Sequence, residues 1–141
     1  MTRAIAVVIP TYNEAANLEG LARSVLERVP DATIIVVDDN SPDGTGAIAD
    51  RLAQETGRLS VIHRFSKDGI GPAYIAGFKA ALESDVELIV AMDADGSHSP
   101  ADLVRMLDAS ETADLVIGSR YVDGGSTVGW PLHRKLLSRA G

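Results

Sequence analysis

Continuous apolar runs alternate with stretches of three- and four-residue apolar spacing along the whole chain. Ala4 to Ile9 is a β-rich run, closed by Pro10, which lacks the N–H a central strand needs. Thr11-Tyr12-Asn13-Glu14 reads as a capping box opening a helix whose apolar face is Leu18, Leu21, Ala22, Val25, Leu26 and Val29. Thr33 to Val37 predicts a second strand. Ser41-Pro42 fits N-cap and first position of a second helix ending near Glu55. Leu59 to Ile62 predicts a third strand. Pro72 opens a helix through Glu83 with Tyr74, Ile75, Phe78, Ala81 and Leu82 as its stripe. Val86 to Met92 predicts a fourth strand, and Ser99-Pro100-Ala101-Asp102 caps the next helix. Asp114 to Gly118 offers a fifth strand, and Pro131 to Arg139 a final amphipathic helix.

This alternation predicts right-handed βαβ units. The fold class is α/β: a Rossmann-like, mostly parallel sheet with helices on both faces, in a single domain over 1–141. In such sheets ligands bind outside the carboxyl ends of the strands. Polar clusters fall there at Pro10 to Glu14, Asp38 to Asp43, Asp93 to His98 and Ser119 to Tyr121. One site assembled from four loops fits this placement, and so do four solvated turns.

Composition narrows the classes. The 141 residues include no Cys, which excludes a disulfide scaffold, a thiolate metal site and a cysteine nucleophile. Apolar content of 45% with 23% charged residues is that of an ordinary globular domain. No run approaches the length of a membrane span and no signal-peptide pattern opens the chain, so the default expectation is cytoplasmic. The net charge of −7 argues against nucleic acid as a partner. The charge is uneven: residues 1–119 hold 9 basic against 19 acidic side chains (−10), and 120–141 hold four basic against Asp123 alone (+3). A bound cation would compensate the first part, and the second suits an anionic partner.

Asp93-Ala94-Asp95, at the end of an apolar strand, is the sharpest chemical signal. Two partly desolvated carboxylates repel, and a cation between them removes that cost. Oxygen ligands without Cys or a His pair favour Mg²⁺ or Mn²⁺, which keep positions open for phosphate oxygens. An acidic turn leading to the cap at Ser99 would have the same letters. A carboxylate after the second strand, Asp38 or Asp39, suits a nucleoside hydrogen bond or a plain turn. Gly69-Ile70-Gly71-Pro72 lacks the dinucleotide fingerprint, Tyr74 standing at the third glycine, and reads as a turn. Arg120 follows the fifth strand. Arg134 and Ser138, four apart, share a helix face that suits an oxyanion or, equally, a solvated cationic helix end. His63, His98 and His133 are scattered and are assigned no catalysis.

Several of these segments resemble the family 2 inverting glycosyltransferases. The broad blocks are Val7-Val8-Ile9-Pro10-Thr11-Tyr12-Asn13-Glu14 and Ile35 to Thr45, with Asp38-Asp39-Asn40-Ser41-Pro42-Asp43-Gly44-Thr45 at its end. Gly69 to Tyr74, Gly118-Ser119-Arg120-Tyr121 and Gly129-Trp130-Pro131-Leu132-His133-Arg134-Lys135, completed by Leu137-Ser138-Arg139, resemble more narrowly the dolichyl- and polyprenyl-phosphate mannose synthases. The resemblance covers nearly the whole chain. It implies a GT-A type nucleotide-diphospho-sugar transferase fold and transfer of mannose from GDP-mannose to a polyprenyl or dolichyl phosphate with inversion. It also implies donor binding by Pro10, Tyr12, Glu14, Val37, Asp39, Asp93, Ala94, Asp95 and Arg120. Asp93, Asp95 and Ser97 resemble the metal ligands, Asp95 and Arg120 the catalytic pair, and Arg134 and Ser138 the acceptor-phosphate site. A lipid acceptor implies a peripheral position at a membrane surface, on its cytoplasmic face.

Departures from the family pattern are Gly96 for Leu, Pro131 for Asp and His133 for Lys. The family's catalytic domain also runs on past Ser138-Arg139, which implies a domain truncated at its C-terminus. Gly96 opens an alternative. Asp93-Ala94-Asp95-Gly96-Ser97 after an apolar strand fits a haloacid-dehalogenase-type phosphatase with Asp93 as nucleophile and Asp95 as acid/base. A nucleotide-sugar binding fragment without turnover is a third reading.

Overall fold

The computed structural model describes residues 3–125 and 131–140. Gly129 and Trp130, and the side chains of Lys135 and Arg139, lie outside the described residues. The elements in order are β1 (Ile5–Thr11), α1 (Leu18–Arg28), β2 (Ala32–Asp38), α2 (Thr45–Thr56), β3 (Leu59–His63), α3 (Ile70–Leu82), β4 (Leu88–Ala91), α4 (Pro100–Ala109) and α5 (Leu132–Ala140). The chain divides into two compact units, 1–105 and 106–141. The first holds the sheet with α1 to α3; the division falls within α4, and the second holds α5.

The strands form one parallel sheet in the order β3-β2-β1-β4. β1 pairs with β2 from Ile5 opposite Ala32 to Thr11 opposite Asp38, and with β4 from Ile5 opposite Leu88 to Val8 opposite Ala91. Central parallel strands are covered on both faces, which is why Val7, Val8, Ile9, Val36 and Val37 are all fully buried in uninterrupted apolar runs. On one face, Ala6, Val8, Ile35 and Val37 pack against Ala73 and Ala81 of α3. The β1-α1-β2 and β2-α2-β3 crossovers run the other way across the sheet, so right-handedness sends α1 and α2 to the opposite face. There they bury Leu18, Val25, Ala49 and Leu52.

Pro10 does not end β1. The Val8 carbonyl accepts the Met92 N–H, so Pro10, two residues on, presents its N–H-less edge on the β4 side. The ladder to β4 stops at Val8, and no hydrogen bond is lost. The Thr11 capping box does not form either. Thr11 is the last residue of β1, its hydroxyl donates to Asp38 Oδ1 at 2.8 Å, and α1 starts seven residues later. Ser41 likewise caps no helix. Its hydroxyl donates to Asp38 Oδ1 at 2.6 Å, and α2 starts at Thr45 behind Gly44.

The helix over 70–82 keeps only part of the expected stripe. Ala81 is buried and Tyr74 and Phe78 pack half-buried against the core, but Ile75 and Leu82 are exposed, and Ala73 and Gly77 face the sheet instead. A Cβ on Gly77 would stand 2.2 Å from Val8 Cγ1, so the helix axis sits too close for any larger residue. The strand expected over 114–118 is absent, because the segment pairs with no strand among the described residues and Leu115 and Ile117 are exposed. Alternating apolar letters do not make a strand without a ladder partner.

Candidate functional site

From β1 the chain steps outward through β2 to β3, then returns to place β4 on the other side of β1. The strand order therefore reverses between β1 and β4, the place where a crevice is expected outside the carboxyl ends of the strands. A cleft of about 210 Å³ occupies it. Its lining comes from the β1 end (Pro10, Thr11, Tyr12, Glu14), Asp39 after β2, Lys67 and Gly69 after β3, Ile70 and Ala73 in α3, and Asp93, Ala94 and Asp95 after β4.

The loop after β2 splints the loop after β1. Ser41 Oγ accepts the Asn13 N–H, Thr45 Oγ1 accepts the Glu14 N–H and Asp43 Oδ2 accepts the Ala15 N–H, each at 3.0 Å. Asp38, buried at the end of β2, accepts from Thr11, from the Ser41 hydroxyl and from the Ser41 N–H at 3.1 Å. Its oxygens are committed to holding the two loops together. Hydrogen bonds, that of the Thr45 hydroxyl foremost, hold the Asp43 carboxyl below the usual range.

Asp39 is the acid of the pair that faces the cleft. It is 5% exposed, and its Oδ1 lies 3.3 Å from Arg64 Nη1 in an ion pair outside hydrogen-bond geometry. Neither atom has a hydrogen-bond partner among the described residues. Burial pushes the Asp39 carboxyl up, and the Arg64 charge opposes that shift. A buried acceptor beside a buried donor, both unsatisfied, suits the polar edge of a ligand. Close by, the Lys67 ammonium sits 4.1 Å over the Tyr12 ring, joining a cation and an aromatic face in the same wall.

At the β4 end, Asp93 Oδ1 accepts the Tyr74 hydroxyl at 2.6 Å, and the Asp93 N–H donates to His98 Nδ1 at 2.9 Å. Burial first, then the bond to Asp93, raises the Tyr74 phenol above its ordinary range. Asp95 Oδ1 accepts the Ser97 N–H at 2.9 Å. Asp93 and Asp95 offer hard oxygen donors on one wall, which fits Mg²⁺ or Mn²⁺. No group of three or more acidic or histidine side chains is arranged as a metal cage among the described residues.

Pro10, Tyr12, Glu14, Asp39, Asp93, Ala94 and Asp95 thus come together as lining residues. Val37 does not join them: its side chain is fully buried in the cluster under α3, because the strand alternation points it into the core. Ser97 is exposed and is not a lining residue. Arg120, Arg134 and Ser138 belong to the second unit, where Arg120 is half-buried and Arg134 and Ser138 are exposed on α5. Sequence reasoning missed Arg64, Lys67, Tyr74 and His98. The signal for Arg64 and Lys67 was available, since the loop after a third parallel strand must open at the same edge as the others. Gly69, read as a turn, has φ +99° and lines the cleft at the start of α3.

Comparison with known proteins gives this geometry a family. The model of glycosyl transferase family 2 matches residues 6–140. An undecaprenyl-phosphate mannosyltransferase of Micrococcus luteus is 52% identical over 97% of this chain and 56% of its own length. A polyprenol monophosphomannose synthase of Mycolicibacterium smegmatis is 51% identical over 98% and 53%. A dolichol-phosphate mannosyltransferase of Pyrococcus furiosus is 40% identical over 96% and 38%. The chain therefore spans about half the length of the first two. Among solved structures, a mannosyltransferase of Pyrobaculum calidifontis in complex with GDP-Man and Mn²⁺ aligns with a TM-score of 0.58 at 27% identity, covering 67% of this chain and 28% of that one. S. aureus TarS in complex with UDP has a TM-score of 0.58 at 22% identity over 76% and 32%, which supports the fold. The family match overturns the phosphatase alternative for Asp93 to Ser97. With its parallel GT-A type sheet and its cleft beside β1 and β4, the chain belongs to glycosyl transferase family 2.

Proposed function

We propose that this chain carries the donor-binding part of a mannosyltransferase that moves mannose from GDP-mannose to a polyprenyl or dolichyl phosphate with inversion. The observation that carries the reading is the convergence of Asp39, Tyr12, Asp93 and Asp95 on one cleft at the point where the strand order reverses. The names of the similar mannosyltransferases, and the GDP-Man and Mn²⁺ in one similar structure, support the choice of donor and acceptor.

In this reading Tyr12 and Asp39 hold the guanosine, and Asp93, Ala94 and Asp95 hold the diphosphate. A divalent cation of the Mg²⁺ or Mn²⁺ class, when bound, supplies positive charge to the leaving diphosphate. The family resemblance alone suggests Arg120 for the donor phosphates and Arg134 with Ser138 for the acceptor phosphate. A phosphate monoester has a second pKa of about 6 and is largely dianionic at neutral pH. Its oxygen forms a bond to the anomeric carbon as the bond to GDP breaks, and GDP leaves with the electron pair. No general base is required, and the residues' work is orientation and electrostatics. The lipid acceptor calls for a peripheral position at a membrane surface. Exposed Leu132 and Leu136 beside Arg134 on α5 are suited to it. No described helix is long and apolar enough to cross a membrane.

The test is transfer of labelled mannose from GDP-mannose to polyprenyl phosphate by wild type and Asp95→Asn. The reading expects transfer by the wild type and its loss, by at least about 100-fold, in the variant. Near-normal turnover in the variant contradicts the role of Asp95. GDP-mannose binding without any transfer favours a donor-binding module.

A further inference from the structure

Asp93 is held from two sides by residues that do not line the cleft. Tyr74, on the second turn of α3, reaches its Oδ1 with the hydroxyl at 2.6 Å across a sequence separation of 19 residues. His98 accepts its N–H at Nδ1, which sets the ring proton on Nε2 when the ring is neutral. The Tyr74 ring is fixed in turn, with its centroid 5.6 Å from that of Phe78. Its distance from Asp93 depends on the height of α3 above the sheet, which Gly77 sets by lying directly on Val8.

We propose that Tyr74 is a positioning residue for Asp93: by occupying one Oδ1 lone pair from behind the cleft wall, it fixes the carboxylate in the orientation that binds a divalent cation with the donor diphosphate. The inference rests on the donor-site reading above. A carboxylate on a strand end rotates about two side-chain torsions, and each orientation it samples without the hydroxyl is lost to cation binding. Hydrogen bonds to metal-ligating groups are typically worth about 10–100-fold in metal affinity. Sequence pattern assigns Tyr74 to the apolar stripe of α3, and the structure gives its hydroxyl a polar task.

The experiment compares Mn²⁺ affinity in the presence of GDP, read from the resonance of free Mn²⁺, for wild type and Tyr74→Phe. Phenylalanine keeps the ring and its packing on Phe78. The proposal expects Mn²⁺ binding weakened about 10-fold or more, with metal-free GDP affinity and thermal midpoint unchanged. A second comparison keeps the result interpretable: Tyr74→Phe placed in an Asp93→Ala background should change Mn²⁺ binding no further. Unaltered Mn²⁺ affinity in Tyr74→Phe, beside a wild type that binds the ion, overturns the proposal and leaves the donor-site reading standing. An equal fall in metal-free GDP affinity also overturns it, since that marks a general loss of structure. A wild type whose GDP binding does not respond to Mn²⁺ overturns the donor-site reading and the role of Tyr74 with it.

Discussion

Asp38 and Asp39 are adjacent and chemically identical, yet the fold gives them opposite tasks. Asp38 satisfies Thr11 and both polar groups of Ser41, so Asp38→Ala would strand a buried hydroxyl and a backbone N–H. Each unsatisfied group costs about 1–3 kcal/mol, and chemical denaturation should show a loss of about 2 kcal/mol or more. Asp39→Asn keeps the shape and removes the charge from an atom that has no hydrogen-bond partner among the described residues. It should weaken nucleotide binding about 10-fold or more, with a much smaller change in denaturation midpoint. Equal stability losses in the two variants would contradict this division. The letters D-D fit a nucleoside hydrogen bond or a plain turn at either acid, and the family resemblance alone pointed to Asp39. Thr11 and Ser41, which engage Asp38, look like helix caps until their partners across 27 and 3 residues are known.

Elements were legible where periodicity alone determines them and illegible where a partner does. β1, β2 and β3 and the final helix lie close to their expected spans, because long apolar runs and three- to four-residue spacing are local signals. The buried face of α3 was legible at Ala81 and in part at Tyr74 and Phe78, but not at Ala73 and Gly77, because large apolar residues suggest burial whereas close helix-to-sheet packing demands small ones. Gly77→Ala tests that packing directly. Alanine gains up to about 1 kcal/mol of helix propensity over glycine, but its Cβ would overlap Val8, a β-branched side chain anchored in a central strand. Overpacking costs about 1–3 kcal/mol, occasionally more, so a net loss in denaturation midpoint is expected, relieved by Val8→Ala in the same chain. A stabilised Gly77→Ala would show that α3 stands further from the sheet.

On the other face, α1 and α2 are tied by Glu19, Arg23, Arg51 and Glu55, with Arg51 to Glu19 at 2.7 Å and Arg23 to Glu55 at 2.6 Å. Hydrogen bonds from Arg51, then Arg23, lower Glu19 from 4.5 to about 2. Its folded value lies below its unfolded one, so its contribution is complete above about pH 4.5 and disappears as pH falls through about 2. The groups are exposed, so Glu19→Gln should flatten the acid limb of stability only slightly at low salt, and not at all in 1 M salt. A large effect that survives high salt would contradict a solvated network.

At the scale of the whole molecule, we propose that the cleft between the ends of β1 and β4 is a GDP-sugar site that uses a divalent cation. Topology made its location legible, since a reversal of strand order marks the crevice before any side chain is placed. The family blocks supplied Pro10, Tyr12, Glu14, Asp39, Asp93 and Asp95, all of which line it. Contacts between distant loops, Lys67 over Tyr12 and Arg64 beside Asp39, are products of the tertiary fold and leave no periodic trace. The most direct measurement is a calorimetric titration with GDP-mannose, with and without Mn²⁺, beside UDP-glucose. A GDP-sugar site predicts binding of GDP-mannose that strengthens with Mn²⁺ and exceeds that of UDP-glucose. Binding of neither donor, or binding indifferent to Mn²⁺, would contradict it.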